Sequence, residues 1–261
     1  MAKMRSRREL LKPVKDKRRK RILAKSAVVL ASVIVILLSS AYLLGQEGLL
    51  ISEVKVEGNL VLEKEEVAVV VRRKLAGRYL SLFKKSNSWI YPKGKIEEAL
   101  IESFPRIKNL ELDRDGLRSL IVRLVERRPA YLWCQEGTGG CSFLDDEGVA
   151  FASAPTFSDN VYFTFVSERL DGELFGKIVA LKKYLSDLLP EDTSLTKAIF
   201  LEHEDVELWT ETGWKIIFNL GQESDRLVAY FDTLVHSPEI KIDFNNLSYI
   251  DLRFGRKIFY K

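Results

Sequence analysis

Residues 26–46, SAVVLASVIVILLSSAYLLGQ, carry no charge over 21 consecutive positions. As a helix rising about 1.5 Å per residue, such a run covers roughly 30 Å, the hydrocarbon thickness of a bilayer. The preceding segment is its opposite: residues 1–25 hold 12 Lys or Arg against only Glu9 and Asp16. Basic residues flank a membrane span on its cytoplasmic side. The expectation is a short cytoplasmic tail (1–25), one transmembrane helix (26–46) and a large exported remainder. The apolar core exceeds the roughly 7–15 residues of a signal-peptide core, although Ser39-Ser40-Ala41 makes a passable cleavage site, so a removed leader is the alternative.

The net charge of the chain is +4, and the tail alone contributes +10, which leaves −6 for residues 26–261. The basic character therefore belongs to the tail. Its densest run, Lys17-Arg18-Arg19-Lys20-Arg21, has two readings: nucleic-acid contact, or topology and attraction to anionic lipid headgroups. The run abuts the span and lacks interleaved aromatics for base stacking, which favours lipid and no nucleic-acid partner.

The exported part opens with the alternation Val54-Lys55-Val56-Glu57 before Gly58-Asn59, a strand ending in a turn. Residues 63–75 place Val67, Val70, Val71 and Leu75 at helical spacing, although their β-branched side chains favour strand by propensity. A polar and aromatic stretch around 81–88 separates this helix from a second over Lys95–Ser103, which Pro105 closes. Strands near 107–113 and 117–126 flank Asp115-Gly116, a hairpin signal. The order strand, helix, helix, strand, strand fits two helices on one face of a three-stranded sheet. Pro129, a poor member of a central strand, marks the boundary to a second region in which strands dominate.

That region reads as strands at 130–134, 141–144, 149–151 and 161–165, and then a helix with Leu174, Phe175, Ile178, Leu181, Leu185 and Leu188 at helical spacing. Strands near 198–202, 206–211 and 214–219 follow, then a helix near 224–235 and two closing strands, 247–254 and 256–260, broken at Gly255. The predicted class is α+β: a transmembrane helix, a β-α-α-β-β module over 47–128, and a mostly antiparallel β domain with two helices over 129–261. Cys134 and Cys141, the only cysteines, flank a turn-rich loop and can form a disulfide in an oxidising compartment, two free thiols being the alternative.

Catalytic patterns are sparse. No G-x-S-x-G occurs, His203 and His236 each stand apart from a nucleophile, and no H-E-x-x-H or glycine-rich phosphate loop is found. The expectation is a membrane-anchored binding or scaffolding protein with no catalytic residues, no metal and no cofactor.

Four stretches carry a family resemblance: Val54-Lys55-Val56-Glu57-Gly58-Asn59; Glu126-Arg127-Arg128-Pro129-Ala130-Tyr131-Leu132-Trp133; Phe143-Leu144-Asp145-Asp146-Glu147-Gly148-Val149-Ala150-Phe151; and Tyr249-Ile250-Asp251-Leu252-Arg253-Phe254. Their order behind one anchor resembles the bacterial cell-division family FtsQ, also called DivIB, and the module over 47–128 resembles a POTRA domain. In the second stretch the Ala falls one place early for the family's E-R-x-P-x-A-x-W pattern.

The resemblance implies a non-enzymatic divisome scaffold in the plasma membrane at the division septum. Its implied partners are the coiled-coil proteins FtsB (DivIC in some bacteria) and FtsL, with other divisome proteins met through the POTRA-like module. In the family the partner adds a strand to the C-terminal edge of the β domain. By position that assigns the partner surface to Phe254, Gly255, Arg256, Lys257, Ile258, Phe259 and Tyr260, with Ile258 and Tyr260 alternating against Lys257 and Phe259; these residues could instead only close the sheet onto its core. The rival readings are a POTRA-bearing transport or assembly factor, a membrane-anchored cell-wall enzyme, and a membrane-tethered transcription factor.

Overall fold

Helix α1 spans Arg7–Leu44 in the computed structural model, which describes residues 7–135, 139–237, 243–255 and 257–261. It therefore begins well before the apolar run, because the Lys and Arg of the tail are good helix formers that let the helix propagate backwards. Within it, Arg18–Leu44 is long and apolar enough to cross a membrane. Two serines of the apolar run satisfy their hydroxyls on the helix itself, Ser32 donating to the Val29 carbonyl at 2.8 Å and Ser40 to that of Leu37 at 2.9 Å. The molecule is α+β, and its chain contacts divide it into two units, Met1–Glu126 and Arg127–Lys261.

In the first unit, β1 (Glu53–Glu57) pairs parallel with β5 (Ser119–Glu126), and β5 pairs antiparallel with β4 (Ile107–Asp115), giving the order β1-β5-β4. Helices α2 (Lys64–Leu75) and α3 (Lys93–Ser103) cover this sheet. Val67, Val71, Ile96, Leu100, Leu120 and Val122 are wholly buried between them. Burial of Val67 and Val71 against the sheet outweighs the weak strand preference of the β-branched run, so α2 is helical. The polar and aromatic stretch between the helices contains a small hairpin, β2 (Arg78–Tyr79) and β3 (Phe83–Lys84).

The turn after β1 depends on two residues. Gly58 sits at φ +83°, and a Cβ there would lie 2.1 Å from the Leu124 carbonyl oxygen, so only glycine fits. Buried Glu126 then accepts the backbone N–H groups of Leu60, Val61 and Leu62 at 2.6–3.0 Å. Burial disfavours the charged form of Glu126, but these hydrogen bonds outweigh it and hold the carboxyl below its usual range. A depressed carboxyl contributes stability above its unfolded-state value of about 4.3, and that contribution is lost as the pH falls through the folded value. Glu126→Gln is expected to cost about 1.5–3 kcal/mol at neutral pH, the scale of hydrogen bonds to a charged group. Denaturant melts at pH 7 and pH 3 should show wild type and variant converging at the lower pH.

The second unit is built on nine strands: β6 (Tyr131–Gln135), β7 (Cys141–Leu144), β8 (Ala150–Ala154), β9 (Phe163–Ser167), β10 (Leu195–Phe200), β11 (Asp205–Thr210), β12 (Lys215–Asn219), β13 (Tyr249–Phe254) and β14 (Lys257–Tyr260). Their order is β14-β13-β12-β11-β10-β9-β6-β7-β8. Five of the eight pairings are antiparallel and three, β6/β9, β9/β10 and β12/β13, are parallel. Parallel neighbours need a crossover. Helix α4 (Gly172–Leu188) makes it between β9 and β10, and α5 (Ser224–His236) makes it between β12 and β13.

The helices bury Phe175, Ile178, Leu181 and Leu185 from α4 and Leu227, Phe231 and Leu234 from α5. These pack in one core with Phe165, Leu208, Ile216, Phe218 and Ile250. Strand β9 starts two residues later than the predicted 161–165, because its parallel register with β6 begins at Tyr131 opposite Phe163.

At the β8 end of the sheet, Arg127 and Asp145 form a buried ion pair. Asp145 also accepts the N–H groups of Glu147 at 3.0 Å and Val149 at 2.8 Å, which shapes the turn between β7 and β8. Burial works against its ionisation, but the backbone hydrogen bonds and Arg127 prevail and lower its pKa.

Candidate functional site

The last strand described lies at one end of the nine-stranded sheet. Strand β14 pairs on one side with β13, Ile250 opposite Tyr260 and Asp251 opposite Phe259, and among the described residues has no strand on its other side. The phase of the ladder follows from its end, where Lys261 N–H donates to the Tyr249 carbonyl at 3.2 Å and Tyr249 N–H to that of Lys261 at 3.3 Å. In an antiparallel pair, hydrogen-bonded and non-hydrogen-bonded residues alternate. Phe259 therefore spends its backbone groups on Asp251, while Ile258 and Tyr260 turn their N–H and C=O outward. Those outward groups form a template for an incoming strand.

The side chains on this edge divide. Ile258 packs against the core. Phe254, Phe259 and Tyr260 are 57, 49 and 47% exposed, and Lys257 is exposed. Of the alternating pair Ile258 and Tyr260, Ile258 joins the core and Tyr260 stays half in solvent at the end of the edge strand. Phe254 and Phe259 meet edge to face with ring centroids 5.3 Å apart, and the Arg253 guanidinium lies 5.5 Å from the Phe254 ring. The hairpin turns at Gly255. Arg256, the remaining residue of the assigned surface, lies outside the described residues.

A charged brace holds β13 beneath this edge. Arg253 bonds both carboxylate oxygens of Asp251, at 2.9 and 2.6 Å, and reaches across to Asp205 on β11 at 2.6 Å. Asn219 on β12 also donates to Asp205, at 2.8 Å. Burial opposes the charge on Asp205, yet the hydrogen bonds from Asn219 and Arg253 overcome it and lower its pKa; the Arg253 pKa is raised by bonding to Asp251 and then Asp205. Gln222 donates to the carbonyls of Leu252 and Arg253 at 3.2 and 3.3 Å, beside the bulge that breaks the β13/β14 register. The Asp251-Leu252-Arg253 spelling signals part of this brace, since a charged pair flanking a buried leucine is unusual in a strand. Asp205, Asn219 and Gln222 carry no such signal in the sequence.

Cys134 and Cys141 stand directly opposite each other on β6 and β7 and are disulfide-bonded. They lie toward the β8 end of the sheet, away from β14. His203 sits in the turn before β11, and His236 at the end of α5 contacts Asp232 at 2.9 Å. Among the described residues, no group of three or more His, Cys, Asp or Glu side chains is placed to hold a metal ion. No family model matches this chain, and no curated protein matches it either.

Proposed function

We propose that this protein is a non-enzymatic scaffold of the bacterial divisome, of the FtsQ/DivIB type. On this reading it crosses the plasma membrane once at the division septum, with its N-terminus cytoplasmic. The first unit acts as a POTRA-like module and the second receives FtsB (or DivIC) and FtsL by strand addition to β14. The reading carries no catalytic residue, metal or cofactor. Its main support is the edge of β14, where Ile258 and Tyr260 direct backbone groups outward, with no strand partner among the described residues, beside three exposed aromatic rings. Main-chain ladder bonds supply affinity in such complexes, and side chains beside the edge supply specificity. The four sequence stretches that resemble the family add to this, as does the charge asymmetry around α1.

The test is capture of the exported segments of FtsB and FtsL by the full chain in detergent, alongside a copy truncated after Arg253. Loss of capture on truncation is expected. Capture that survives truncation would move the partner site elsewhere, and absence of capture by the folded full chain would remove the divisome reading.

A further inference from the structure

The first unit carries a second feature, unrelated to the β14 edge. From Arg72 to Ile96 the chain has eight Lys or Arg and no Asp or Glu. This stands out in a region whose overall charge, beyond the tail, is negative. The same stretch holds Tyr79, Phe83, Trp89 and Tyr91. At the tip of the β2/β3 hairpin, Leu80 and Ser81 adopt left-handed backbone, φ 47° and 62°, which non-glycine residues rarely take. That conformation leaves Leu80 87% exposed, and Trp89, nine residues on, is 65% exposed.

This basic and aromatic segment is tied to the end of the apolar helix. Asn87 Nδ2 donates to the Leu44 carbonyl at 2.7 Å, and Lys84 Nζ reaches the Gly45 carbonyl at 3.4 Å. Ser88 N–H donates to the Leu49 carbonyl at 2.9 Å. About four residues of strand, at roughly 3.3 Å each, separate the Leu80 tip from Lys84. If α1 crosses the bilayer, the hairpin sits at headgroup depth. Arg114 adds a fixed cation there: it donates to the Ser88 carbonyl at 3.1 Å, lies 5.4 Å from the Trp89 ring centroid, and has no carboxylate partner among the described residues.

We propose that the 78–89 segment is a membrane-surface contact that takes anionic lipid headgroups. Leu80 and Trp89 enter the interface, and Arg78, Lys84, Lys85 and Arg114 meet phosphate. Amphipathic aromatic rings favour the headgroup layer, and clustered Lys and Arg beside a span read as anionic-lipid binding. An acidic protein would also suit the charge, but it would not call for an exposed leucine at the tip beside the membrane end of α1. This inference rests on α1 spanning the bilayer and is independent of any divisome partner.

The experiment uses the full chain with Leu80→Cys in nanodiscs of phosphatidylcholine, with and without phosphatidylglycerol. The native cysteines are bonded to each other, so an environment-sensitive dye attaches at position 80, where it displaces no core. The expected result is blue-shifted emission and lost iodide quenching, greater with phosphatidylglycerol and reversed by adding Arg78→Glu and Lys85→Glu. A dye that stays in water in both lipids, on a chain that remains in the disc, would overturn the proposal and leave the patch to an acidic protein. Protection indifferent to lipid charge and to the reversals would overturn the anionic-lipid assignment. A chain that does not stay with the disc would overturn the span itself, and this contact with it.

Discussion

Ile258→Pro is expected to abolish capture of the FtsB and FtsL segments, with at least about a hundredfold loss of affinity, from one lost ladder bond of about 1 kcal/mol together with the clash of the ring with the incoming strand, at roughly 1.4 kcal/mol per factor of ten. The reason is the phase of β14. The N–H of residue 258 points away from β13, so proline removes a donor offered to the partner and leaves the ladder to β13 intact. Its ring also stands where an incoming strand would lie. Proline at an edge position is tolerated by the sheet, and the loss of half-buried Ile258 packing is the only cost inside the domain. Ile258→Ala separates the two effects, because it removes the same side chain and keeps the N–H. Strand addition requires Ala to retain most of the binding that Pro destroys. Equal losses in Ala and Pro would mean that the partner reads the side chain, and unchanged binding in both would remove β14 from the interface.

The parts of this fold legible in the sequence are those encoded locally. The apolar part of helix α1 follows from one charge boundary at Lys25–Ser26, and α4 and α5 from apolar residues recurring at helical spacing. The β4/β5 hairpin follows from Asp115-Gly116. Strand pairing is not local. That β12 neighbours β13 in parallel rather than a hairpin partner depends on α5 carrying the chain back across the sheet, and no residue of either strand announces it. The β2/β3 hairpin was hidden for a different reason: its tip is Leu80-Ser81, which lacks the glycine or asparagine that left-handed backbone normally calls for.

The candidate site divides the same way. An edge strand at the C-terminus is readable from the alternation after Gly255. Which backbone groups of β14 point outward is set by its register on β13 and by the bulge between Asp251 and Phe254. A shift of one residue would invert the assignment of every N–H on the edge. The brace from Arg253 to Asp205 joins residues 48 positions apart, and only the folded sheet brings them together. It pins β13, and so helps set the register on which the outward phase of Ile258 depends.

Gly148→Ala is expected to be the most damaging small substitution at the other end of that sheet, costing about 2–5 kcal/mol by the sum of left-handed strain and overpacking. Gly148 sits at φ +82°, and a Cβ built there would lie 2.6 Å from two ring atoms of Phe175. Phe175 cannot move cheaply, because its buried ring packs against Tyr131 and Phe165 with centroids 5.3 and 5.2 Å away. The turn cannot relax either, since Asp145 holds the N–H groups of Glu147 and Val149 on either side of the glycine. The two contributions are separable. Adding Phe175→Leu to Gly148→Ala should relieve the steric part and recover some stability, so the double variant should melt above the sum of the single losses. The backbone strain, about 1–2 kcal/mol, should remain. Strict additivity of the two substitutions in denaturant melts would show that the Phe175 ring is not what restricts position 148, leaving the backbone conformation as the sole demand for glycine.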